Sequence, residues 1–194
     1  QQVLRSVSYW NASQDPSPDD RLIEFSAADN VSSGPTAGLV VQVQPVNDPP
    51  EIDLDGVGPG LDFVTTFFIN RGPVLVSAQS MTVTDIDNTT LKSATVRITN
   101  PQDGQAEILA ADITGVSNIK VSYDLAGNTL TLNGVDSLAN YQRVLRTVTY
   151  NNTLPQPDTA TRQIEFILAD SAGVSDARRT SLTFAVAPNA RLLL

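Results

Sequence analysis

Carboxylates gather at three places where this chain turns. The segment PVNDPPEIDLDG carries Asn47, Asp48, Glu51, Asp53 and Asp55, TDIDNTT sets Asp85 and Asp87 two residues apart, and Asp170 in LADSAG answers Asp29 in AADNVSSG. Residues two apart in an extended segment point to the same side, so Asp85 and Asp87 present their carboxylates together. A hard cation such as Ca²⁺ takes six to eight oxygens from carboxylates, amide side chains and backbone carbonyls, and paired loop carboxylates supply them. The competing reading is that Asp and Asn in turns bond their own backbone. Glu51, Asp53 and Asp55 are read that way, as solvated turn-formers.

Other chemistries fall away. The chain has no histidine, which removes the commonest general base, the Ser-His-Asp arrangement and the usual zinc ligand. It has no cysteine either, hence no disulfide and no thiolate chemistry. GVGPG at 56–60 lacks the Lys-Ser and helix that a phosphate-binding loop needs, and DTA at Asp158–Ala160 is three residues of an aspartic-protease pattern and no more. The reading is therefore of a protein that is not an enzyme. A net charge of −9 disfavours nucleic acid and anionic membrane surfaces as partners and favours cations. No apolar run approaches the roughly 20 residues of a membrane span.

The elements that must position these carboxylates are written twice. VLRSVSYWN at Val3 returns as VLRTVTYNN at Val144, and laying residues 1–29 on 142–170 without a gap gives fourteen identities, among them Arg5/Arg146, Tyr9/Tyr150, Arg21/Arg162, Glu24/Glu165, Phe25/Phe166 and Asp29/Asp170. Beyond residue 30 the match continues in outline, GLVVQVQPVN over TSLTFAVAPN, with about one residue of slippage. Internal self-similarity of this kind marks a repeat protein. Residues 1–47 read as the C-terminal third of one repeat and 48–194 as a nearly complete second repeat with a short tail. The first copy is then either part of a longer array or a unit completed by another chain.

Val, Ile, Tyr, Phe and Thr fall in short alternating runs punctuated by Gly and Pro, the signature of many short strands. Strands are expected near 3–9, 21–27, 37–44, 62–69, 80–84, 91–99, 105–109, 119–124, 128–133, 144–150, 162–168 and 179–186. SLANYQRVL supplies one helix, with Ser137 as its cap and Leu138, Tyr141 and Leu145 on one side. DLAGNTL is a hairpin turn with Gly127 and Asn128 at the tip. Along the strand at 162–168, Ile164, Phe166 and Leu168 share a face, with Glu165 opposite. The fold class expected is all-β, an antiparallel Ig-like sandwich.

These segments also carry a family resemblance. VNDPP resembles the linker between cadherin domains, DID in TDIDNTT their Asp-x-Asp ligand pair, and FILADSAG the strand and loop bearing a further calcium aspartate. The whole chain resembles more closely the cadherin-like tandem repeats, about 140 residues long, of very large microbial secreted and surface proteins. MTVTDIDNTTLKSATVRITNPQDG, DSLANYQRVLRTVTYNNT and RQIEFILAD carry that likeness. The resemblance implies a junctional Ca²⁺ site formed by Asn47, Asp48, Asp85, Asp87 and Asp170. One departure is that the Asp two places before the linker Asn is replaced by Pro45. It further implies an extracellular, cell-surface spacer whose partners are neighbouring repeats, other copies in an assembly, or a surface protein or glycan. The rival readings are a subunit of an extracellular filament, completed by strands of another molecule, and a glycan-binding module.

Four further positions are candidate glycosylation acceptors, Asn11, Asn30, Asn88 and Asn151, each in an Asn-x-Ser/Thr sequon. Trp10, whose counterpart is Asn151, is a candidate partner contact. Glu24 and Glu165 are expected to pair with Arg21 and Arg162.

Overall fold

The computed structural model describes residues 4–187, and the chain divides into two units, Gln1–Asp48 and Pro49–Leu194. Val3, which opens the first copy of the repeat phrase, and the last residues of the VAPNARLLL tail lie outside the described residues.

The first unit holds a 3₁₀ turn, Leu4–Ser6, and an antiparallel hairpin of β1 (Arg21–Phe25) and β2 (Ala37–Val41). The strand expected at 3–9 is not formed: the chain is a 3₁₀ turn to Ser6 and irregular after it. The second copy supplies the reason. There the counterpart of Ser8–Asn11 is a strand that lies between two others, and the described residues of the first unit supply neither.

The second unit comprises β3 (Glu51–Asp53), β4 (Phe63–Ile69), β5 (Val74–Leu75), β6 (Thr82–Thr84), β7 (Thr90–Ile98), β8 (Glu107–Ala110), β9 (Lys120–Asp124), β10 (Thr129–Ser137), helix α1 (Leu138–Leu145), β11 (Thr149–Asn152), β12 (Arg162–Ala169) and β13 (Arg178–Val186). A six-stranded sheet in the order β4-β13-β12-β7-β10-β9 packs through its apolar face against a three-stranded sheet, β5-β11-β8, and β3 pairs with β6. The fold is all-β and antiparallel, apart from β4, which runs parallel to β13 along the edge. Phe67, Tyr150 and Phe184 meet edge to face with centroids 5.4–6.2 Å apart, the quadrupole-favoured arrangement, and so join the two sheets.

Ile164, Phe166 and Leu168 are all buried on one face of β12, as their alternation requires. The hairpin of β9 and β10 turns at 125–128, with Asn128 at φ +50° in the left-handed region that Asn tolerates. Helix α1 begins where expected. Ser137 is extended and its hydroxyl accepts the N–H of Asn140, filling one of the donors a helix start leaves open. Tyr141, Val144 and Leu145 are buried, so the strand expected at 144–150 starts only at Thr149. Val144 and Leu145 reach the core from the last turn of a helix, a spacing that a strand would have split between two faces. Ser137→Ala is expected to cost about 1 kcal/mol and lower the melting temperature by about 3 °C, read by thermal denaturation.

The two units repeat one another in backbone detail at a constant offset of 141. Arg21 faces Val41 as Arg162 faces Leu182, and the bridge Ala28–Ser33 recurs as Ala169–Val174. The turn bonds Asp29 N–H to Ser32 O and Gly34 N–H to Ala27 O recur as Asp170 N–H to Gly173 O and Ser175 N–H to Leu168 O. The slippage expected after residue 30 is absent. Divergent side chains on β2 and β13 hide a register that the backbone keeps.

Candidate functional site

The Asp-x-Asp segment follows β6 and leads into β7. Asp85 Oδ1 accepts the backbone N–H groups of Asp87 at 3.3 Å and Asn88 at 2.9 Å, and Asn88 Nδ2 donates to Asp87 Oδ1 at 2.8 Å. That wrapping brings the two carboxylates and one carboxamide together. The other oxygen, Asp85 Oδ2, is buried and accepts no hydrogen bond. Burial raises the Asp85 pKa above its ordinary 3.8, the two backbone N–H bonds oppose this, and Asp87 beside it adds to the rise. A half-buried carboxylate with one unbonded oxygen beside a second carboxylate offers two of the six to eight oxygens that a hard cation takes.

Asp170 is fully buried, and its Oδ1 accepts the N–H groups of Ala172 and Gly173 at 2.6 and 2.5 Å. Asp29 makes the same turn with Val31 and Ser32, bonds that lower its pKa, so the turn itself accounts for the recurrence of this aspartate. In the first unit, Asn47 Nδ2 donates to the carbonyl of Asp48. Among the described residues no three Asp or Glu side chains form a group that could hold a metal ion, so Asp85, Asp87 and Asp170 are not brought into one such group. Asp53 and Asp55 each take two backbone N–H groups in successive turns, the turn-forming role expected of them.

A second polar assembly lies in the core. Arg162 is fully buried, with Nε on Glu107 Oε1, Nη2 2.9 Å from Asp103 Oδ2, and further bonds to the carbonyls of Ala160 and Asp158. The Tyr150 hydroxyl donates to Glu107 Oε1 at 2.8 Å, Asn152 Nδ2 to Asp103 Oδ2 at 2.7 Å, and the guanidinium stands 4.7 Å over the Phe184 ring. Burial first, and then the Glu107 carboxylate, raise the Tyr150 pKa, so its proton stays in that bond. The expected Arg162–Glu165 pair is thus not formed, because residues three apart on a strand face opposite ways. Glu165 pairs instead with Arg179 at 2.9 Å. Glu24 does not pair with Arg21 either: that guanidinium donates to the carbonyls of Asp19 and Ser17. The missed signal was positional, since Arg162 shares its parity with Ile164, Phe166 and Leu168.

Trp10 is 83 % exposed. Asn11 and Asn30 are exposed, Asn151 is half-buried in β11, and Asn88 has its amide nitrogen on Asp87.

A 74-residue stretch, 37% of this chain, is 42% identical to Halomucin of Haloquadratum walsbyi (strain DSM 16790 / HBSQ001), a large surface protein, and spans 1% of that protein's length. No family model matches the chain, and no solved structure matches it. This partial similarity to a large surface protein fits an extracellular structural repeat, and no helix among the described residues is long and apolar enough to cross a membrane.

Proposed function

We propose that this chain is a cadherin-like structural repeat segment of a large extracellular protein, a spacer stiffened by calcium. The recurrence of one hairpin and loop at a fixed offset of 141 residues carries the repeat reading. Such units act by being stacked, each presenting the same scaffold to its neighbour.

The calcium part rests on the buried, unbonded Oδ2 of Asp85 beside Asp87. Asp85 and Asp87, the two carboxylates that the turn before β7 brings together, would hold the ion. Bound Ca²⁺ neutralises carboxylates that otherwise repel and fixes the segment entering β7. The test is a calorimetric Ca²⁺ titration of the whole chain and of Asp85→Asn/Asp87→Asn, with melting in calcium and in chelator. Heat of binding that disappears in the double variant supports the reading; no heat in the parent chain overturns its calcium part.

The raised Asp85 pKa adds an outcome of opposite sign. A carboxyl that is harder to ionise folded than unfolded contributes stability that is lost as pH rises from 3.8 through its folded value. At neutral pH in chelator, Asp85→Asn is therefore expected to raise the melting temperature, while in calcium it lowers it. Differential scanning calorimetry in the two buffers checks the reversal.

A second reading, an extracellular filament in which another molecule completes the first unit, is favoured by one observation. Among the described residues the β1–β2 sheet has two strands.

A further inference from the structure

The second copy shows what covers this hairpin when the repeat is whole. There β12 has β7 on its far edge, β13 has β4, and β11 lies between β8 and β5. In the first unit both outer edges of β1–β2 carry no partner strand among the described residues, and Ser8–Asn11, the counterpart of β11, is not a strand. A two-stranded ribbon alone is marginal in water.

The inward face is less covered than its counterpart in the second unit. Ile23 and Phe25 are half-buried where Ile164 and Phe166 are fully buried. Leu39 is 54 % exposed where Thr180 is buried, and Tyr9 is 41 % exposed where Tyr150 is buried.

Arg21 decides what belongs there. Its guanidinium donates to the carbonyls of Asp19 and Ser17, the counterparts of Ala160 and Asp158, to which Arg162 donates in the same way. Arg21 thus already holds the pose of Arg162. What it lacks among the described residues is the carboxylate pair that Asp103 and Glu107 supply to Arg162.

We propose that the inward face and both edges of the β1–β2 hairpin are the seat of the first two-thirds of a like repeat, joined in series. This is a segment of the 49–141 type. Its β7-like strand pairs antiparallel with β1, its β4-like strand runs parallel beside β2, and its carboxylates, placed as Asp103 and Glu107 are, close on Arg21. The inference rests on the repeat reading and not on calcium.

The experiment appends a second copy of residues 49–141 directly ahead of Gln1 of the full chain, the junction that the 141-residue offset dictates. Hydrogen exchange then compares the fusion with the parent. The amides of Arg21–Phe25 and Ala37–Val41 are expected to exchange at least about a hundredfold more slowly in the fusion, as core strands do. Asp103→Asn/Glu107→Gln in the appended copy alone should return much of that protection, and Arg21→Ala should lower the melting temperature of the fusion but not of the parent. An appended segment that stays unfolded, or that folds without slowing these amides, overturns the proposal. So does a parent chain whose hairpin amides are slow when concentrated and fast on dilution, which would make a second copy the occupant. Calcium titration of the parent is unaffected by either result.

Discussion

Arg162→Leu is expected to destabilise the second unit by about 3–5 kcal/mol, a fall in melting temperature on the order of 10 °C, while Arg21→Leu, at the equivalent position, leaves melting within about 1 °C. The difference lies in what each guanidinium neutralises. Arg162 has a wholly buried side chain, as has Glu107, and the Asp103 side chain is 9 % exposed. Taking away the cation leaves two carboxylates in the core with only neutral donors: the Tyr150 hydroxyl, the Asn152 carboxamide and the backbone N–H groups of Gln102, Asp103 and Asp158. An uncompensated buried charge is far more costly than the intact pair is stabilising. Arg21 answers no carboxylate among the described residues, so its loss strands nothing. A double-mutant cycle checks the cause. Glu107→Gln on the Arg162→Leu background should recover part of the loss, giving strong non-additivity by urea denaturation. Equal, additive losses would show that Arg162 matters for its volume and not for its charge.

The same pair of arginines marks how far the sequence alone could reach. Strand β12 was legible because one face is buried along its whole length, and β7 and β13 because buried residues alternate over most of theirs. Helix α1 and its cap were legible because Ser137 and the spacing of Tyr141 and Leu145 are local signals. The short strands β3 and β5 were not, since two or three residues beside Asp and Pro read as turn, and only their partners β6 and β11 make them strands. The core ion network escaped for a related reason. Asp103, Glu107 and Arg162 are each ordinary surface residue types, and only the sheets bring residues 55 or more positions apart into contact. The closeness of Asp85 and Asp87 was legible from their spacing, whereas the burial of a single oxygen of Asp85 is set by tertiary packing.

Gly134→Ala is expected to cost about 3 kcal/mol or more, although it adds a single methyl group to an otherwise unchanged strand. Gly134 sits at φ +136°, a conformation closed to residues with a Cβ, and a Cβ there would run into the backbone carbonyl of Asn118, which has no rotamer with which to yield. The position is where three elements are set at once. Pairing of β10 with β9 ends at Asn133, opposite Lys120. Pairing of β10 with β7 shifts register between Asn133 and Asp136, a bulge that re-aims the strand's last residues toward helix α1. The Gly134 carbonyl accepts the hydroxyl of Tyr141, 2.7 Å away, and burial of that phenol pushes its pKa up to about 12, so the bond persists across any ordinary pH. A side chain at 134 must therefore move the loop at Asn118, flatten the bulge or give up the Tyr141 bond. Any of the three unseats the helix that delivers Val144 and Leu145 to the core. Chemical denaturation should show the loss with little change in slope, and hydrogen exchange should show it concentrated in β10 and α1. Gly104, also at positive φ, offers the contrast, since a Cβ there meets nothing within 4 Å. Gly104→Ala should cost only its backbone strain, about 1 kcal/mol, because its φ of +58° lies in the left-handed region that a Cβ tolerates.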